Sequence, residues 1–148
     1  MPSEPAWIPF WKMSGSGNDF IIIDHRTGFI RPDQIGSFVA KVCRRGLSVG
    51  ADGVILVENS GKAPYRWRYF NADGGEALMC GNGARCVARF AYLQKIAPAR
   101  HLFETAKGLI QVEVMGEAFE RVRVWLTPPS PMQLSISIDL PMGHKTGH

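Results

Sequence analysis

Cys80 stands in a stretch, residues 71–86 (NADGGEALMCGNGARC), where glycine and asparagine crowd around a thiol. Ordering glycine costs backbone entropy, so Gly74, Gly75, Gly81 and Gly83 mark either turns or a backbone that a ligand must approach. The residues from Gly83 to Ile96 (GARCVARFAYLQKI) are good helix formers with apolar side chains on more than one side, which predicts a buried helix. Cys80 then lies at or just before a helix N-terminus. There the N–H groups of Gly81, Asn82 and Gly83 lack intrahelical partners and favour negative charge, on a thiolate or on a bound carboxylate. Thiols so placed ionise more readily than a free cysteine and can move protons. The plainer reading, a small buried hydrophobe among turn glycines, is outweighed here by the flanking CGNG pattern. Cys86 points to another side of the same helix, about 9 Å further along. It reads as core, and so does Cys43, near the end of a different helix.

Two asparagines sit where a strand meets a glycine-rich turn: Asn18 in SGSGNDF and Asn71 in FNADGG. Asparagine is a common turn residue, yet its amide can also serve a ligand's ammonium and carboxylate groups as acceptor and donor at once. Both readings stay open on spacing alone. Asp52 and Asp73 read as turn formers, and the four histidines show no metal-binding spacing.

The elements that must position these groups are legible from periodicity. Phe10 to Met13 predicts a strand, Ser14 to Asp19 a loop, and Phe20 to Asp24 an all-apolar strand covered on both faces. Pro32 opens an amphipathic helix with Ile35, Phe38, Val39 and Val42 on one face, running to Arg45 with Gly46 as its stop. Gly50 to Gly53 turns into a strand from Val54 to Val57, and Tyr65 to Phe70 alternates as a half-buried strand. Leu109 to Met115 and Phe119 to Leu126 alternate around Gly116-Glu117, as a β-hairpin does. The proline-rich Thr127 to Pro131 breaks the pattern, and the remainder offers one short strand and a polar end. The expected fold class is α+β, a curved, mostly antiparallel, barrel-like sheet around one central buried helix with a second helix outside. The expected domain boundary falls at 127, with 128–148 as a linker and the start of a further domain, or as a disordered tail.

The 148 residues, 45% apolar and 10% aromatic, are enough for one core without disulfides or metal. The formal net charge of +4 is mild and the basic residues are scattered, so a solvated face or a small-anion site is favoured over a nucleic-acid surface. Three cysteines, an odd number, and an opening Met-Pro-Ser-Glu-Pro without a secretory pattern suggest the reducing cytoplasm. No apolar run is long enough to span a bilayer.

The segments MSGSGNDFIIID, GADGVILVE, FNADGGEALMCGNGARCVARF and TAKGLIQVEV resemble, in that order, motifs of the N-terminal half of the diaminopimelate epimerase family, from about Phe10 to about Thr127. Related racemases such as proline racemase usually carry histidine at the place of Asn82. The resemblance implies a two-domain isomerase of lysine and peptidoglycan-precursor synthesis, acting on LL-diaminopimelate without pyridoxal phosphate or metal. Two cysteines on opposite substrate faces would exchange the α-proton. By motif, Cys80 is one of that pair, Gly81 and Asn82 offer N–H groups to the reacting α-carboxylate, Asn18 contacts substrate near the reacting centre, and Asn71 reads its distal end. Gly53 stands where some members have a larger substrate-binding residue, so that contact is unassigned. The chain holds no second glycine-rich cysteine motif. It is therefore expected to be an N-terminal half, inactive alone, whose partner is the missing C-terminal domain or, through the same face, a second copy. Another racemase or isomerase of the superfamily, or a non-catalytic binding module, are the alternatives.

Overall fold

The structure, a computed structural model, describes residues 7–126, 128, 129 and 131, and the backbone of two later strands within 136–147. A β-hairpin opens it, β1 (Trp11–Gly15) pairing with β2 (Asn18–Asp24). A 3-10 turn (Pro32–Gln34) leads into helix α1 (Ile35–Val42), followed by β3 (Gly53–Glu58), β4 (Arg66–Asn71) and the two-residue β5 (Glu76–Ala77). Helix α2 (Gly81–Leu93) comes next, then β6 (Arg100–Thr105), β7 (Gly108–Met115) and β8 (Arg121–Trp125). These strands form one eight-stranded sheet, ordered β1-β2-β3-β4-β6-β7-β8 with β5 on β4. All pairings are antiparallel except β2 with β3 and β4 with β6, so the expected mostly antiparallel sheet is found.

The sheet curls around α2 and carries α1 on its other face, which divides the apolar residues into two cores. Strands β2 and β3 show why this sequence does so. Period-two alternation sends Phe20, Ile22, Ile55 and Val57 toward α2 and Ile21, Ile23, Val54 and Leu56 toward α1. Strands covered on both faces read as continuous apolar runs, as expected from the sequence. On α2, Ala84, Val87, Ala88 and Ala91 are fully buried, and their small side chains let the helix lie close inside the curl. Around it Tyr65 stacks on Phe103 and Trp67 meets Phe103 edge-on. On the outside, Ile35 and Val39 bury the inner face of α1.

Several expectations are corrected. Ser14 to Asp19 is not a loop: the strands run through it, and only Ser16 and Gly17, both at positive φ, make the turn. Helix α1 ends at Val42 rather than near Arg45, although Gly46 does adopt positive φ. Strands β5 and β6 had no sequence prediction. The tail holds the expected strand (β9, Ile136–Leu140) and a second one (β10, Gly143–Gly147), paired antiparallel, where a polar end was expected. Thr127, at the expected domain boundary, and residues 1–6, the start of the chain, lie outside the described residues.

Candidate active site

Cys80 is the N-cap of α2, with extended backbone before the helix begins at Gly81. Its Sγ accepts a hydrogen bond from the Gly83 N–H at 3.4 Å, and its carbonyl takes the first helical bond, from the Ala84 N–H at 2.8 Å. One expectation changes here: the Gly83 N–H serves the sulfur, so the groups left for a ligand at this terminus are those of Gly81 and Asn82. Gly83 is buried under Ile55 and Trp67, each 3.3 Å from where a Cβ would sit. That close seating on β3 and β4 holds the helix end, and with it the thiol, at the mouth of the curl.

The β1–β2 turn brings Asn18 to the same point. Its Oδ1 lies 3.6 Å from Cys80 Sγ and accepts from Asn82 Nδ2 at 3.3 Å. Its Nδ2 donates to Asp52 Oδ2 at 2.7 Å. Asn82 is oriented in turn by Arg85, which donates to Asn82 Oδ1 and reaches back to Ser16 Oγ. On the far side, Arg45 bridges Asp52 and Asp19, and Lys12 pairs with Asp19 at 3.0 Å. The Arg45 guanidinium, more than any other neighbour, holds the Asp19 carboxyl well below the usual carboxylate range.

Asn71, at the exposed end of β4, accepts from the Tyr69 hydroxyl at 2.9 Å. Burial first, and then the neighbouring Cys80, push the Tyr69 phenol up to about 12, so it stays a neutral donor. Gly53 has no room for a side chain: a Cβ there would lie 2.5 Å from the Phe70 carbonyl oxygen and 2.8 Å from the Tyr69 ring. The other two thiols are packing groups, as expected. Burial raises Cys43, in the outer core, and pushes Cys86 up to about 11. Among the described residues no group of three His, Cys, Asp or Glu side chains is placed to hold a metal, and no helix is long and apolar enough to cross a membrane.

A partly buried thiol at a helix N-terminus and two amide side chains bonded to each other beside it make up the candidate site. The family model of diaminopimelate epimerase matches residues 10–130, from β1 to beyond β8. The chain belongs to the diaminopimelate epimerase family. It is 48% identical over 145 residues to the diaminopimelate epimerase of Hydrogenobaculum sp. (strain Y04AAS1), a match covering 93% of this chain and 52% of that protein. It is 44% identical over 141 residues to that of Aquifex aeolicus (strain VF5), covering 89% and 50%. The chain thus spans about half the length of the curated relatives it matches. The fold extends to more distant proteins. A probable proline racemase from Agrobacterium radiobacter K84 superposes with a TM-score of 0.73 at 15% identity, over 95% of this chain and 48% of that one.

For this member of the diaminopimelate epimerase family, sequence motifs pointed to Cys80, Asn18, Asn82, Gly81 and Asn71 as candidates, and the fold brings the first four together around one helix end. Asp52, read from sequence as a turn former, holds Asn18. Tyr69 and Arg85 were not singled out. The only signal for Tyr69 lies in its strand alternation with Trp67, which gives the face and not the neighbour.

Proposed function

We propose that this chain, residues 1–127 with 128–148 as linker into a further domain, supplies one wall of the active site of an enzyme that converts LL-diaminopimelate to meso-diaminopimelate. The observation that carries this reading is the Cys80 sulfur at the N-terminus of α2, bonded to one donor and facing one acceptor. The Gly83 N–H donates to the sulfur, and the Asn18 carbonyl oxygen stands as an acceptor for an S–H. A residue that must take a proton in one direction and return it in the other needs both states within reach.

In the forward step one thiolate takes the proton from the α-carbon, and the electron pair of that C–H bond moves toward the α-carboxylate. The N–H groups of Gly81 and Asn82, at the positive end of the α2 dipole, stabilise the added charge there. A thiol on the opposite face then gives its proton to the carbon, which inverts it. Cys80 serves one face. Cys86, buried beneath β1, cannot serve the other, so the second thiol comes from the domain that the longer relatives possess. Asn18 contacts the substrate near the reacting carbon and Asn71 its distal amino-acid end. The chemistry needs neither pyridoxal phosphate nor metal. It needs free thiols, consistent with a cytoplasmic enzyme and with three unpaired cysteines.

The test is conversion of LL-diaminopimelate by the complete two-domain protein, resolved by chiral chromatography beside a panel of other amino acids. Conversion confined to diaminopimelate supports the reading. Turnover of proline or hydroxyproline in its place would assign the site to another isomerase of the superfamily.

A further inference from the structure

The Asn18 amide could face Cys80 with either end, and what chooses the end is Asp52. Oδ2 of Asp52 receives the Asn18 Nδ2 at 2.7 Å and the Asp19 backbone N–H at 3.1 Å. Its Oδ1 takes Arg45 at 3.1 Å. Turning the Asn18 amide over would set its oxygen against the Asp52 carboxylate and its NH2 against the NH2 of Asn82, which Arg85 holds in place. Two hydrogen bonds would become two repulsions. A run of oriented bonds, Arg45 to Asp52 to Asn18 to Asn82 to Arg85, therefore ties two loops and the first turn of α2 to one amide orientation.

We propose that Asp52 is a positioning residue that locks Asn18 with its carbonyl oxygen toward Cys80, so that the sulfur always faces an acceptor for its proton. Asp52 touches neither the sulfur nor the open donors of Gly81 and Asn82. It acts only through Asn18. The lock restrains the nucleophilicity of Cys80 by keeping a hydrogen-bond acceptor in place for its S–H. The proposal rests on the proton-transfer role of Cys80 given above, but its test does not need turnover.

The experiment is alkylation of the chain by iodoacetamide at neutral pH, with each cysteine followed by peptide mass mapping in wild type, D52A, D52N, N18A and the double variant D52A/N18A. In D52A the Asn18 amide loses one of its two restraints and is opposed only by the Asn82 NH2 when it turns its own NH2 to the sulfur, and Cys80 is predicted to alkylate roughly three- to tenfold faster. D52N keeps an oxygen where two donors meet and is predicted to stay within about twofold of wild type. In the N18A background, adding D52A is predicted to change the Cys80 rate by less than about twofold, because the group it acts through is gone. Cys43 and Cys86, both buried, report whether each variant is folded. A D52A rate equal to or below wild type with those two still protected overturns the proposal. So does D52A having its full effect without Asn18.

If D52A unfolds, the wild type decides. In the 15N-labelled chain, the Asn18 side-chain amide, assigned by its loss in N18A, is predicted to exchange with solvent at least about tenfold more slowly than a free amide. Exchange at the free rate overturns the lock. A complete enzyme with no activity on diaminopimelate but with these alkylation effects would remove the proposed function and leave the lock. Activity without the effects would do the reverse.

Discussion

At Cys80 the sulfur has one partner that donates to it and one that stands as an acceptor for its S–H, at 3.4 and 3.6 Å. The other thiols have no such surroundings. Cys43 and Cys86 are 5% and 4% exposed, and burial moves both upward in pKa. Iodoacetamide at neutral pH is therefore predicted to label Cys80 at least about tenfold faster than either of the others. Equal labelling, measured by peptide mapping in the folded chain, would contradict the assignment. At this scale the sequence was informative wherever chemistry and spacing coincide, since a thiol before a glycine-started helix is visible in CGNGARC. The role of Asp52 was not visible. It depends on Asn18, 34 positions earlier in the chain, and an aspartate in a GADG turn carries no mark of which distant amide it holds.

Among the elements, α2 is the part on which the site depends, because its N-terminus holds Cys80 and its sides fill the curl. Phe90, 1% exposed, packs edge-on against Trp11 of β1 at 4.9 Å. Phe90→Ala is predicted to cost about 3–5 kcal/mol, read from denaturant unfolding. A loss below about 1 kcal/mol would mean that this contact does not hold helix to sheet. Gly53 starts β3 where its neighbours leave no space. Gly53→Ala should cost on the order of 1–3 kcal/mol, while a neutral result would show that β4 can move aside. The strong periodicities of β2, β3, α1, α2 and the β7–β8 hairpin were legible because each buries a continuous face. Strand β6 was missed: only alternate residues such as His101, Phe103 and Thr105 are buried, and two of these are polar. The burial of His101 is met by bonds to Tyr65 and to the Pro98 carbonyl, a compensation no local pattern announces. SGSGND reads as a long loop because it is rich in turn residues, although two of them, Ser16 and Gly17, suffice for the turn.

For the molecule as a whole, charge pairs on the surface of the sheet make stability depend on pH. Asp19, Asp24 and Glu76 are each held below their ordinary values, chiefly by Arg45, Arg26 and Arg68 respectively. Their folded-state values lie below the unfolded ones, so their stabilisation is complete above the usual carboxylate range of about 4 and is lost as pH falls through and below it. His101, which burial pushes down, adds a loss that begins as pH falls below its ordinary value of 6.5. The melting temperature is thus predicted to hold between about pH 7 and 8 and to fall progressively toward pH 3. A profile flat to pH 3 would contradict these ion pairs. Leu126, exposed, lies against Gly81 next to Cys80, and Leu78, two residues before Cys80, is exposed as well.

The proposed role of Cys80 as one of two proton-transferring thiols is tested most directly by following the α-carbon of LL-diaminopimelate in D2O with the full-length protein and its Cys80→Ala variant. Deuterium should enter at the α-position as the centre inverts, and the variant should lose inversion by about 10²-fold or more. Inversion with deuterium uptake at an unchanged rate in Cys80→Ala would show that the proton moves through another group.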